Sequence, residues 1–417
     1  SSAYFVGCSS RNAWPKQVNE LTEALYFSLQ KMDSSTETLY LLWKDNFGLS
    51  HDDVSKQAAI EKRKKDLAEI IGARKIEADE EYKILFALQT AVAIIAILIA
   101  YKVVSVIKKN VIDYSLQGLY DLEYEVARNE LENIVNGKKS HSIGIYNLLE
   151  IECFTWAFSE EQWNEDIHKA INKIIGILYK YENRPSLTKE PDDLFRDLYM
   201  AIIPTSVRHS LGEYYTKKWL AHNVNSDALQ HLPLECHKHA RVLDPAGGSG
   251  TFVLDFIQRK KEEYKEDELA VEHILAEISL IDANILAVIL ARINIFIALS
   301  DIIKSEEKFF IPAYIGDSTV SNSEKIAEDQ RHYLQRIPTQ DGDIELRIPI
   351  NFLENKNQFV DVLRDVDVYM EYNAKDKLFA RIQEMCSEQE NDEVGNIVKT
   401  FEVLKNKGLL NISMHNS

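Results

Sequence analysis

From residue 1 to about 185, apolar side chains recur three and four positions apart, the period of a helix with one buried face. That spacing predicts helices over 20–31, 53–84, the apolar run that continues to 107, 116–136 and 160–182. Glycine and proline are sparse, and Asn136-Gly137 and Gly144 mark breaks. The run 84–101 is about as long as the shortest membrane-spanning helix, roughly 17 residues. Gln89 and Thr90 sit inside it, and charged helical sequence flanks it. It therefore reads as a buried core helix, and no membrane partner is expected.

The pattern changes at 183–193, where two prolines among polar residues read as a linker. Short helices are expected over 194–203 and 219–224. A strand at 240–243 runs into a glycine-rich loop and a helix. A second strand is expected at 277–281, a long apolar helix at 284–303, and a third strand at 309–315, irregular at Pro312. Strand and helix in alternation predict a parallel α/β sheet. Ligands of such sheets sit at the carboxyl ends of the strands. Asp244, Asp282 and Asp317 each fall at one of those ends. Beyond 319 the signal weakens: a strand pair or insertion near 344–352, then helices over 357–364, 376–385 and 393–407, the last closed by Gly408. The expected organisation is a helical N-terminal domain (1–185), an α/β core (186–318) and a mostly helical extension (319–417).

Composition adds limits. A chain of 417 residues holds two or three domains. Its formal net charge of −18 opposes a main surface that binds phosphate, so any grip on DNA is expected to lie largely outside these residues. The four cysteines lie far apart with no C-x-x-C pair, which fits a reducing cytoplasm. The start, without initiator Met or signal-peptide pattern, fits a piece of a longer cytoplasmic protein. The cluster from Glu235 to His239 lacks a second half for zinc, so no metal is expected. Pro191-Asp-Asp lacks the following E-x-K of a nuclease, and Lys62 to Lys65 reads as a solvated helix face.

The loop Asp244-Pro245-Ala246-Gly247-Gly248-Ser249-Gly250-Thr251-Phe252 carries the chemistry. Its glycines allow positive φ and close backbone approach. The following helix turns free N–H groups toward it. Asp244 disfavours phosphate and favours an ammonium. A ligand with an ammonium and a carboxylate on one small tail suits this mixture, and S-adenosylmethionine has both. The loop lacks the lysine of a Walker A motif, and Val253 stands where a dinucleotide fingerprint needs its third glycine. A plain glycine turn without ligand remains the alternative on the loop alone. Asp282, at the second strand end, is placed for ribose hydroxyls, or equally for capping the helix that follows. Asp317 is placed for an adenine amino group, or is a turn aspartate.

Taken together, Leu211-Gly-Glu-Tyr-Tyr-Thr216, Val242 to Phe252, Leu280 to Val288 and Tyr314-Ile-Gly-Asp-Ser318 resemble the N6-adenine DNA methyltransferases, in the gamma-class order and of the restriction–modification branch with fused modules. The resemblance covers about 192–318. It implies a partial Rossmann-like doubly wound core that binds S-adenosylmethionine. Tyr215 and Thr216 would contact the methionine portion. Asp244, Pro245 and the backbone through Gly248 would hold the amino and carboxylate groups. Phe252 would pack beside the cofactor, Asp282 would meet the ribose, and Asp317 the adenine N6.

Lys217 stands where that family usually has proline, and Gly247 where cysteine is common. A larger departure concerns transfer. The family uses an Asn/Asp-Pro-Pro-aromatic motif to align the weakly nucleophilic N6 and stack the flipped base. No two prolines are adjacent in this chain. No catalytic residue is therefore assigned, and the chain is expected to bind cofactor weakly at best and not to methylate. Two other readings stay open: an interaction fragment with a degenerate site, and a methyltransferase acting on RNA or protein.

Overall fold

In a computed structural model, the described residues are 13–49, 57–107, 115–180, 203–210, 216–316, 318, 332–337 and 344–349, with single positions at 380, 383, 397, 399, 400, 402 and 403. The chain divides into two compact units, Ser1–Asp33 with Trp43–Gly316, and Ser34–Leu42 with Asp317–Ser417. The α/β residues through Gly316 and the N-terminal helical residues other than Ser34–Leu42 belong to the first. The class is α/β: mostly helical, with small parallel sheets.

The first helices are α1 (Ala13–Ser28), α2 (Ser34–Leu49), α3 (Gln57–Ile70) and α4 (Ala78–Ile107). The helix expected over 53–84 is broken. α3 stops at Gly72, which takes φ +65°, while Gly72 N and Ala73 N donate to Glu69 O and Ala68 O. That pair of bonds closes a helix end on a left-handed glycine. α4 holds the apolar run. It is apolar all round, so it is covered on every side, and its most apolar stretch is wholly buried in the protein. By length and composition Glu80–Ser105 would suffice to cross a membrane. Two of its polar side chains accept from buried indoles: Trp43 Nε1 donates to Gln89 Oε1 at 2.8 Å, and Trp156 Nε1 to Thr90 Oγ1 at 3.1 Å.

Next come α5 (Leu116–Leu119), α6 (Tyr124–Val135), α7 (Lys138–Ser142), β1 (Ile145–Tyr146), a 3-10 stretch Glu152–Phe158, and α8 (Glu165–Lys180). After α9 (Thr205–Ser210) the α/β portion follows: α10 (Lys218–Gln230), α11 (Leu234–His237), β2 (Val242–Asp244), α12 (Thr251–Glu263), α13 (Ala270–Glu277), β3 (Ile278–Asp282), α14 (Ile285–Leu299), β4 (Phe309–Phe310) and β5 (Ala313–Ile315). α14 is buried along its whole length and packs against α4. The linker 183–193 and nearly all of the expected helix 194–203 lie outside the described residues.

β2, β3 and β5 form a three-stranded parallel sheet in that order, with Asp244 opposite Leu280 and Asp282 opposite Ile315. The strand expected over 309–315 is split between two sheets. Phe309 and Phe310 pair in parallel with Ile145 and Tyr146, and only Ala313–Ile315 join β3. Pro312 has no N–H to continue a ladder, so the chain switches partners there.

In the second unit, β6 (His332–Ile337) and β7 (Ile344–Pro349) form an antiparallel pair, Ile337 opposite Ile344. β7 falls within the expected 344–352. Helical positions 380 and 383, and 397, 399, 400, 402 and 403, fall inside two expected helices. The helix expected at 357–364 lies outside the described residues.

Candidate functional site

The glycine loop leaves β2 at its carboxyl end and is fastened on two sides. Gly247 N donates to Ile281 O at 3.0 Å, and Gly250 N closes the turn on Gly247 O at 2.8 Å. Asn294, from α14, donates Nδ2 to Ser249 O at 2.9 Å. Gly248 and Gly250 take φ +52° and +94°, where side chains are disfavoured. Gly247 is constrained by space instead. A Cβ there would lie 2.2 Å from Leu280 Cγ and 2.4 Å from its Cδ1. Cysteine, common at this position in the family that the sequence resembles, would collide with β3 here.

Asp282 clasps the loop. Its Oδ2 accepts from Gly248 N and its Oδ1 from Asn284 N, both at 2.8 Å. The Gly248 N–H expected to face a ligand carboxylate is thus donated to a side chain. The cap of α14 belongs to Asn284, whose Oδ1 accepts from Leu286 N at 3.0 Å and Ala287 N at 3.4 Å. Burial raises the Asp282 pKa above the usual carboxylate range, opposed by those two amides.

Asp244 is placed differently. Its Oδ1 accepts one long bond, from Ala246 N at 3.3 Å, while its Oδ2 is buried without a partner. Burial is also the main cause that raises its pKa, and the charge of Asp282 adds a smaller push. A buried carboxylate oxygen left unserved is costly, and a ligand N–H would serve it.

Of the other expected residues, Pro245 is exposed, and Phe252 is half-buried at the start of α12. Thr216 is half-buried just before α10. Lys217 is exposed, and its carbonyl accepts from Leu220 N and Ala221 N, which starts that helix. β5 reaches the site as well, for Gly316 N donates to Asp282 O at 3.0 Å. Asp244, Asp282, Gly248 and the start of α12 are therefore brought together. Tyr215 and Asp317 lie outside the described residues. Among the described residues, no group of three His, Cys, Asp or Glu side chains could hold a metal ion.

Two side-chain networks, one beside the loop and one at the far end of the sheet, escaped the sequence reading. Asp255, on α12, accepts from His222 Nδ1 at 2.9 Å, Asn225 Nδ2 at 2.9 Å and Arg259 Nε at 3.0 Å. Burial pushes its pKa up, but these bonds outweigh it and the net shift is downward. Asn225 also donates to Phe252 O at 2.9 Å, tying α10 to the first turn after the loop. At the opposite end of the sheet, buried Lys260 reaches Lys238 O at 2.7 Å and Glu277 Oε2 at 3.0 Å. Tyr264 donates to Glu277 Oε1 at 2.7 Å, and burial with that bond raises its pKa to about 12. Partners more than thirty residues apart leave no local pattern to read, as with His222 and Asp255.

The arrangement suits a small ligand that donates N–H to Asp244 and lies against bare backbone. It disfavours a phosphate, because two carboxyl groups face the same strand ends. No family model matches the chain, and no curated protein or solved structure matches it.

Proposed function

We propose that the loop from Asp244 to Phe252 is the S-adenosylmethionine site of a methyltransferase domain of the N6-adenine DNA type, on a partial Rossmann-like core. The unserved, buried Oδ2 of Asp244 carries the reading, because the cofactor's ammonium supplies the missing donor. Asp244 would hold that ammonium. The open face of Gly248, with Pro245, would admit the methionine tail, and Phe252 would border it. Asp282 keeps unused lone pairs for ribose hydroxyls beside its two amide bonds. Thr216, Tyr215 and Asp317 complete the proposed set through the motif order of the sequence. When bound, the cofactor supplies an electrophilic methyl group.

The proposed substrate is adenine N6 in DNA, in a cytoplasmic restriction–modification system. The chain holds no adjacent prolines, so base handling and transfer are assigned to residues outside it, and these residues alone are proposed to be inactive. One observation favours the rival, an interaction fragment with a degenerate site: Asp282 already spends both oxygens on backbone. A thermal-shift panel separates the two. S-adenosylmethionine and S-adenosylhomocysteine should stabilise the protein while ATP and NAD do not. Stabilisation by none of them supports the rival, and stabilisation by ATP alone sinks the cofactor assignment.

A further inference from the structure

The split between β4 and β5 leaves Ile311 and Pro312 in neither sheet, and their carbonyls need donors in a buried place. Leu280 N serves Pro312 O at 3.0 Å. The flanking carbonyls share one side chain: Asn147 Nδ2 donates to Ile311 O at 2.7 Å and to Ala313 O at 3.0 Å. Arg292 Nε, from α14, also reaches Ala313 O, at 3.1 Å. Asn147 is 2 % exposed, and Ile311, Ala313 and Arg292 are 0 % exposed.

Asn147 is fixed from its own side. It takes φ +60°, a conformation that Asn tolerates better than most residues. Its N–H donates to Glu150 Oε1 at 3.0 Å, and that oxygen also lies 2.5 Å from His141 Nε2. The amide is thus held by the 141–150 segment and presented to the crossover. Two residues further on, Ile315 stands opposite Asp282, and Gly316 N binds Asp282 O.

We infer that Asn147 is a positioning residue for the proposed cofactor site. Resting on that reading of the site, it sets where β5 meets β3, and with it the Tyr314–Gly316 edge beside Asp282. The N-terminal helical portion then takes part in ligand binding through Asn147, which is not itself in the proposed ligand set.

Asn147→Gly keeps the positive φ and removes the donor. Asn147→Asp keeps the shape but turns an acceptor toward two carbonyls. S-adenosylhomocysteine affinity is measured from about pH 8 to about pH 5, together with hydrogen exchange of the ligand-free proteins. Both variants should bind about tenfold more weakly at the upper pH, with faster exchange at Leu280 and Gly316 and unchanged exchange in α4. The new carboxyl, facing carbonyls, takes up a proton as pH falls and becomes a donor again. The deficit of Asn147→Asp relative to wild type should therefore shrink with falling pH, while that of Asn147→Gly stays constant. Wild-type affinity in both variants, or equal and pH-independent losses, would overturn the inference. If the wild type itself does not bind, the cofactor reading fails, and exchange decides the clamp alone: faster at Gly316 upholds it, unchanged overturns it.

Discussion

Asp282 accepts the Gly248 amide at 2.8 Å, so the turn leaving β2 is clasped by a side chain from the end of β3. Asp244, at the neighbouring strand end, has a buried oxygen with no partner. Two acids that look alike in the sequence therefore carry different tasks. One shapes the loop, and the other is available to a ligand.

Substitution should separate these tasks by sign. Ionised Asp244 is penalised by burial, so Asp244→Asn should raise the melting temperature at neutral pH, by about 2 °C. A carboxyl with a raised folded pKa contributes stability below its unfolded pKa and loses it as pH rises through the folded one. The advantage of the variant should therefore shrink as pH falls through that raised value. Asp282→Asn replaces one acceptor with a donor facing an amide, and should cost about 1–3 kcal/mol. Thermal denaturation of both variants across pH checks this. Equal signs would contradict the division of tasks.

Gly247 is required by space rather than by φ. Gly247→Ala should destabilise by about 1–3 kcal/mol, because its Cβ would overlap Leu280. Trimming the neighbour should relieve the clash, so Gly247→Ala with Leu280→Ala should cost less than the sum of the single changes. Denaturant unfolding of the three variants measures the coupling.

Asp255 ties α10 to α12 through His222, Asn225 and Arg259. Its folded pKa is lowered, so its contribution is present above the unfolded carboxylate pKa and is lost as pH falls through the folded one. Asp255→Ala should cost about 2–4 kcal/mol at neutral pH and less at strongly acidic pH. Chemical denaturation at the two extremes checks it, and a cost independent of pH would show that the charge has no part.

What could be read from the sequence was local. The turn from Asp244 to Thr251, the strands β2 and β3 and the buried α14 follow from neighbouring residues, and the structure has them. The acids Asp244 and Asp282 do end β2 and β3. Long-range pairing was not legible. β1 is two residues long and finds β4 far along the chain, so no alternation announced it. Pro312 signalled an irregular third strand, but not that its halves serve different sheets. The end of α3 at Gly72 was missed because apolar spacing continues across it, while the left-handed φ that closes the helix shows only in the backbone. The clasp from Asp282 to Gly248 likewise joins residues whose proximity depends on the fold.

In the proposed function, Asp244 holds the ammonium of S-adenosylmethionine in this loop. Calorimetric titration at neutral pH tests it most directly, with Asp244→Ala as the control. The expected result is one saturable site with a dissociation constant of about 0.1–1 mM, near −4 to −5.5 kcal/mol, abolished in the control. No heat at millimolar cofactor from a folded wild type, or equal binding by Asp244→Ala, would contradict it.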